Sequence, residues 1–261
     1  MKILMIVAQY PPHAGGLEKQ AKLLSETLCK NVNVTVLTGN LGGNFKKKEK
    51  INGVSVVRYF ARKIPLPFVN NYIKNFIGHW IGISLYMIKN RKNFDIYHVH
   101  QMRDISLLMC FFSKIFKKPL IVKVANSGTR FDPYYFIEKS NFNRSFVINK
   151  MVKNIDYVIS INRQIKKELF NIGFADSQIH SISNGVEISE NFNKPNLSIK
   201  RELKINEKDN IITYVGSLTK KKNVEKLLHE FSLLFSSIRS INLLIAGQGP
   251  EEANLKQFSK K

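Results

Sequence analysis

The sequence predicts an α/β protein: one complete domain of nucleotide-binding type built on a parallel sheet, followed by the beginning of a second. Three observations carry that prediction. An apolar run of strand length, Ile3 to Ala8, passes through a turn holding Gly15 and Gly16 into a helical pattern with Leu17, Ala21, Leu24 and Leu28 on one face. Strand-length and helical patterns then alternate along the chain, the signature of parallel strands joined by right-handed crossovers. Near the end of the chain, Ile211 to Leu218 repeats the strand-to-glycine unit.

Val32 to Leu37 and Val54 to Tyr59 are Val-rich and read as strands, separated by a loop from Gly39 to Lys50 that is rich in glycine and lysine. Helical patterns lead through the apolar stretch Phe76 to Ile88 to the strand Asp95 to His100, which ends in polar residues. Leu107 to Phe116 reads as helix, Pro119 to Ala125 as strand, Asn149 to Ile155 as the close of a helix, and Tyr157 to Ile161 as strand. Helices are expected on both faces of this sheet and ligands at the carboxyl ends of its strands. The alternation breaks at Asn184-Gly185-Val186, and Ser189 to Asn196, with Pro195, has the composition of a connector. The expected domains are residues 1–190 and 210–261, with a linker over 191–209. The second holds a strand to Val215, a helix from Val224 to Phe235, the strand Ile241 to Ala246 and a last helix. No short-period internal repeat is visible.

Composition narrows the function classes. With 44% hydrophobic residues in 261 and ordinary glycine and proline, the chain is neither disordered nor collagenous. Cys29 and Cys110 each lie in an apolar helical pattern, which predicts buried structural thiols and a reducing cytosol. The amino terminus enters a strand after one lysine, without a secretory cleavage site, so a cytoplasmic location is expected. Phe76 to Ile88 is shorter than the roughly 20 residues needed to span a bilayer and carries His79. Two readings of it stay open: a helix of the sheet's outer layer, or, with Lys89, Arg91 and Lys92 at its flank, a helix lying on an anionic membrane at its inner face. Lys and Arg number 41 against 19 Asp and Glu, a formal charge of +22 that attracts nucleic acid, anionic lipid or phosphorylated substrates unless it reflects biased composition and solvated lysines. No helix-turn-helix, zinc-finger or aromatic RNA-binding signature appears and the lysines are scattered, so no specific nucleic acid is expected.

The turn Pro11 to Gly16 lies between strand and helix, where amides and the helix N-terminus suit an anion. Its spacing is not Gly-x-Gly-x-x-Gly and no acid ends a second strand, which argues against a nicotinamide enzyme. Tyr10-Pro11-Pro12-His13-Ala14-Gly15-Gly16-Leu17-Glu18, Asp95 to His100, Ser183-Asn184-Gly185-Val186, Tyr214-Val215-Gly216 and Ala246-Gly247-Gln248-Gly249-Pro250 together resemble, in order along the whole chain, the family 4 glycosyltransferases of GT-B fold, with two Rossmann-like domains. The resemblance implies transfer of a sugar from a nucleotide-sugar donor to a glycan or lipid-linked acceptor, with retention at the anomeric carbon and no metal or other cofactor. The physical demand is then stabilisation of a departing diphosphate by cations and amides. Lys222 matches the family's phosphate-binding lysine. Gly15, Gly16, Gly216, Ser217, Gly247 and Gly249 join it as expected donor or diphosphate contacts, and His13, Glu18, Asn126, Ser127, Asn184 and Gly185 as acceptor-side or loop residues. Pro250, Glu251 and Glu252 should open the last helix, where acids repel phosphate and favour a structural role for the Gly247 turn.

Three departures qualify the resemblance. Ser217 stands where most members have arginine, with Lys220 and Lys221 near enough to supply charge. Asn126 stands where many relatives place a histidine, leaving His100 as the nearest imidazole at a strand end: a candidate catalytic group, or one that merely bonds a loop carbonyl. The family's paired glutamates and Gly-x-Pro segment are absent, so the chain is expected to be a transferase cut within its donor domain, with little activity and little thermal stabilisation by nucleotide sugars. The complete form would serve surface polysaccharide synthesis. The competing readings are a non-catalytic acceptor-binding module that needs a separate donor-domain chain, a basic nucleic-acid binder, and a nucleotide-sugar epimerase.

Overall fold

A computed structural model describes residues 1–12, 15–40, 45–61, 71–188 and 198–259. The chain divides into two compact units, Met1–Glu187 and Ile188–Lys261. The connector expected at Ser189 to Asn196 lies outside the described residues, as does His13.

In the first unit the strands β1 (Lys2–Val7), β2 (Asn33–Asn40), β3 (Lys48–Ile51), β4 (Val54–Phe60), β5 (Ile96–His100), β6 (Leu120–Val124), β7 (Tyr157–Ser160) and β8 (Ile179–Ser181) form one sheet in the order β3-β4-β2-β1-β5-β6-β7-β8. All neighbours are parallel except β3 and β4. That pair replaces part of the loop expected from Gly39 to Lys50: β2 runs on to Asn40, and Lys48–Ile51 turns back on β4 at Asn52 and Gly53. Alternating lysines on an outermost strand discourage edge-to-edge pairing and hide the strand from a hydrophobic reading.

Strand alternation divides the core. Met5, Val7, Val34, Val36, Val54 and Val56 face α1 (Gly16–Leu28), whose Ala21 is fully buried among them. Leu4, Ile6, Tyr97, Val99, Val122 and Val158 face the opposite way. There they are covered by α2 (Asn71–Asn90), α3 (Asp104–Phe116), α4 (Asp132–Ser140), α5 (Arg144–Asn154) and α6 (Arg163–Asn171). Each fully buried aliphatic side chain contributes about 1.5–3 kcal/mol. The stretch Phe76 to Ile88 thus belongs to α2, with Phe76, Ile83 and Met87 in the core. No helix among the described residues is long and apolar enough to cross a membrane. Cys110 is buried as expected. Cys29 is only half-buried, because it caps α1 at the surface, where its Sγ donates to the Glu26 carbonyl at 3.2 Å.

The second unit contains α7 (Ser198–Glu202), β9 (Asn210–Val215), α8 (Val224–Ser237), β10 (Ile241–Ala246) and α9 (Glu252–Phe258). Its two strands pair in parallel, with Leu218, Val224 and Leu255 buried. Helix α9 starts at Glu252, so Pro250 lies before it and Glu251 occupies its N-cap.

Candidate functional site

In the first unit the strand order reverses between β1 and β5, which opens a crevice beyond their carboxyl ends. The segment leaving β1 is held from below. Buried Arg58 donates from Nη2 to the Pro11 carbonyl at 2.7 Å and to Glu49 Oε1 at 2.7 Å, and the Tyr10 hydroxyl bonds Ser25 Oγ at 2.8 Å. Gly15 is the N-cap of α1 and provides no capping side chain. A Cβ on Gly15 would strike the carboxylate of Glu18, so that carboxylate folds back over the helix start. A negative charge therefore stands against Gly15, one of the two glycines where an anion was expected, while a Cβ on Gly16 would meet nothing within 4 Å.

Beyond β5, Gln101 is a non-glycine residue held at φ 86°, a conformation that costs on the order of 1–3 kcal/mol. Its amide is tied to the Lys123 carbonyl at 2.9 Å. Fully buried Asp132 joins the loops after β5 and β6: it accepts from Ala125 N at 2.8 Å, Asn126 Nδ2 at 2.9 Å and Arg103 Nε at 3.2 Å. Arg103 also lies over the Tyr135 ring at 4.6 Å. Asn126 is thus engaged in holding its loop, and Ser127 stands at the N-cap position of the 3-10 turn Gly128–Arg130 without a side-chain capping bond. In the first turn of α3, burial lifts the Asp104 carboxyl to about 6. Gln101, Arg103, Asp104 and Asp132 were not identified from the sequence. The signal for Arg103 and Asp104 was their place directly after a strand with polar carboxyl-terminal residues, whereas the φ of Gln101 leaves no trace in residue type.

His100 does not stand open at the strand end. It is 2% exposed and lies on the α1 side of the sheet with His98, the ring centroids 4.7 Å apart. Lys123 is its register partner on β6. Burial holds both imidazoles neutral, lowering His98 to about 4 and His100 well below the usual range, with Lys123 adding to both shifts. The Lys123 ammonium donates to Asn184 Oδ1 at 2.6 Å, and Gln20 Nε2 donates to the Gly185 carbonyl at 2.9 Å. Asn184 and Gly185 therefore hold the segment that leaves β8 against α1 and β6.

In the second unit the two glycine turns interlock. Gly216 N donates to the Ala246 carbonyl at 3.0 Å, Leu218 N to the Gln248 carbonyl at 2.9 Å, and Glu251 N to the Leu218 carbonyl at 3.1 Å. A Cβ on Gly247 or Gly249 would strike the carbonyl of Gly216 or Leu218, so close approach of the two backbones requires glycine at both positions. Exposed Ser217 precedes a single 3-10 turn, Lys220–Lys222, which runs directly into α8, whose N-cap Asn223 provides no side-chain cap. Three exposed lysines and a helix N-terminus thus fall within one short stretch, with Glu225 the acid in the first turn of α8. Among the described residues no three His, Cys, Asp or Glu side chains are grouped to hold a metal.

The family model for Glycosyltransferase Family 4 matches residues 14–190, and that for Glycosyl transferases group 1 matches residues 196–261. An uncharacterized glycosyltransferase of Methanocaldococcus jannaschii is 28% identical over 275 residues, covering 99% of this chain and 66% of its own length. Among solved structures, sucrose-phosphate synthase from Thermosynechococcus elongatus matches with a TM-score of 0.70 at 17% identity, over 98% of this chain and 67% of that one. Anabaena HepE in complex with UDP and glucose matches with a TM-score of 0.65 at 14% identity, over 100% of this chain and 65% of that one. At such identities the likeness is one of fold, α/β of GT-B type. The chain spans about two thirds of the length of these relatives.

Proposed function

Because this chain belongs to glycosyltransferase family 4, we propose that it serves the transfer of a sugar from a nucleotide-sugar donor to a glycan or lipid-linked acceptor. Retention at the anomeric carbon, no metal, and a role in surface polysaccharide synthesis complete the reading. The observation that carries it is the lysine turn at the uncapped start of α8, beside the interlocked glycine loops of the second unit. As the glycosidic bond breaks, negative charge gathers on the departing diphosphate. Cations and helix amides fixed in advance stabilise that charge without reorganising, which is the usual source of the largest catalytic effect. Anabaena HepE, with UDP and glucose in its structure, supports a nucleotide-sugar donor.

Titration of the chain with UDP, followed through backbone amide resonances, tests the reading. Millimolar binding is expected, with shifts concentrated between Gly216 and Asn223. Lys222→Ala should weaken it about tenfold, the worth of one charge-assisted hydrogen bond. Shifts confined to the first unit, or a Lys222→Ala chain that binds as the parent does, would overturn it.

A further inference from the structure

Helices α2, α3 and α5 each precede a strand of the parallel set β5, β6 and β7, so all three end at the same, amino-terminal edge of the sheet. Lys89 and Lys92 lie at the end of α2, Lys114, Lys117 and Lys118 at the end of α3, and Lys150 and Lys153 in the last turns of α5. None of these is in an ion pair among the described residues. The nearby acids are already engaged: Asp95 accepts from Lys2 N at 2.8 Å and Asp156 from Leu120 N at 2.7 Å. Cations at helix carboxyl ends offset the dipole, but the dipole alone does not call for so many on adjacent helices.

A second, independent observation concerns the outward faces of the same helices. Leu85 on α2 is 67% exposed, Phe111 on α3 59% and Phe146 on α5 55%, with Ile81, Ile88 and Ile115 exposed beside them. α2 packs on α3 and α3 on α5, so these side chains belong to neighbouring helices on one face of the sheet. A groove of about 830 Å3 between α3 and α5 brings Phe146 together with Lys114, Lys117, Lys118, Lys150 and Lys153, and Leu85 borders a separate groove that also holds Lys89.

We propose that the outer faces and lysine-rich ends of α2, α3 and α5 form a docking surface for an anionic lipid bilayer, with Leu85, Phe111 and Phe146 entering the headgroup boundary and the lysines meeting lipid phosphates. Exposed aromatic and aliphatic side chains bordered by lysines match both parts of such a surface, and stable attachment needs two signals of this kind. A nucleic acid would use the cations and leave the aliphatic side chains idle. The inference rests on the first unit's surface and not on sugar transfer, so either reading can fail without the other.

Flotation of the chain with vesicles of phosphatidylcholine alone, and of phosphatidylcholine with phosphatidylglycerol, tests it. Binding is expected only to the anionic vesicles. The variant K114Q/K117Q/K150Q/K153Q should bind about a hundredfold or more weakly, each lysine being worth several-fold near an anionic surface. Leu85→Ser/Phe111→Ser should weaken attachment that survives raised salt, and unchanged thermal melting shows that both variants remain folded. Equal attachment to neutral vesicles, no attachment to either kind, or an unaffected four-lysine variant would overturn the proposal. So would lysine-dependent binding to single-stranded DNA without binding to vesicles.

Discussion

The chain carries two strand-to-glycine-to-helix loops of similar topology and opposite character. The first, between β1 and α1, has Glu18 folded over its helix start and no lysine before it among the described residues, while the second, between β9 and α8, sets three lysines before its helix against one acid, Glu225, in the first turn. Their glycines differ as well. Nothing lies within 4 Å of a Cβ placed on Gly16, whereas Gly216 of the second loop is pressed by the turn after β10, where a Cβ on Gly247 would meet the Gly216 carbonyl. Glycine in such a loop therefore says little about phosphate. What distinguishes the loops is the charge at the helix start and whether another backbone presses against the turn.

The contrast breaks most sharply at the glycines. Gly247→Ala forces apart two hydrogen-bonded turns and is expected to destabilise the second unit by about 3 kcal/mol, seen as lost hydrogen-exchange protection in β9 and β10. Gly16→Ala should be neutral or stabilising by up to about 1 kcal/mol, since it adds a better helix former in open space. Equal effects would show that the turns do not differ in packing.

Acid should separate the units next. His98 is buried neutral with its pKa lowered to about 4, so below the ordinary value of about 6.5 the unfolded chain binds the proton that the folded chain refuses. Stability rises with pH wherever the unfolded state holds more protons, so it must fall on acidification through that window. Between pH 7 and 5 His98 alone should cost the first unit about 2 kcal/mol, with His100 and buried His79, itself lowered to about 4, adding in the same direction, and Asp104, raised to about 6, opposing them by about 1 kcal/mol. Trp80, the chain's one tryptophan, belongs to that unit and reports its urea unfolding. A midpoint that moves as far in a His98→Gln/His100→Gln chain as in the parent would mean that the pair is not sealed from solvent.

The smallest effect sharpens the comparison of charge. Glu18→Gln removes a favourable dipole partner and should cost α1 about 0.5 kcal/mol. In exchange, the Gly15 and Gly16 amides should respond to added inorganic phosphate when followed by NMR. If they stay silent, the carboxylate is not what keeps anions from the first loop.

Much of the fold was legible because β-branched runs such as Val34 to Leu37 and Leu120 to Val124 belong to buried parallel strands and read as such. Strand β3 was not, because Lys-Glu-Lys-Ile at an exposed edge carries no hydrophobic signal. Helix α4 begins with Asp132 and Pro133, residues that read as turn chemistry until one sees Asp132 accepting from Ala125, Asn126 and Arg103. The site was legible as loops and not as networks. Residue spacing located both glycine turns, and the family resemblance pointed to Lys222, but which face of β5 would be covered depends on tertiary packing, including α1 on that side of the sheet. That tertiary choice turned His100 from a group at a strand end into half of a sealed pair.

The bond from Gln20 to Gly185 joins residues 165 positions apart, and the one from Lys123 to Asn184 spans 61. On the ribosome, at roughly 5–20 residues per second, α1 waits on the order of 10–30 s for the partner of Gln20 to be made. Through that interval Lys123, the register partner of His100, also lacks its Asn184 acceptor. The first unit is thus closed by its own last residues, and nascent chains halted before Asn184 should display a protease-sensitive α1 that longer ones protect.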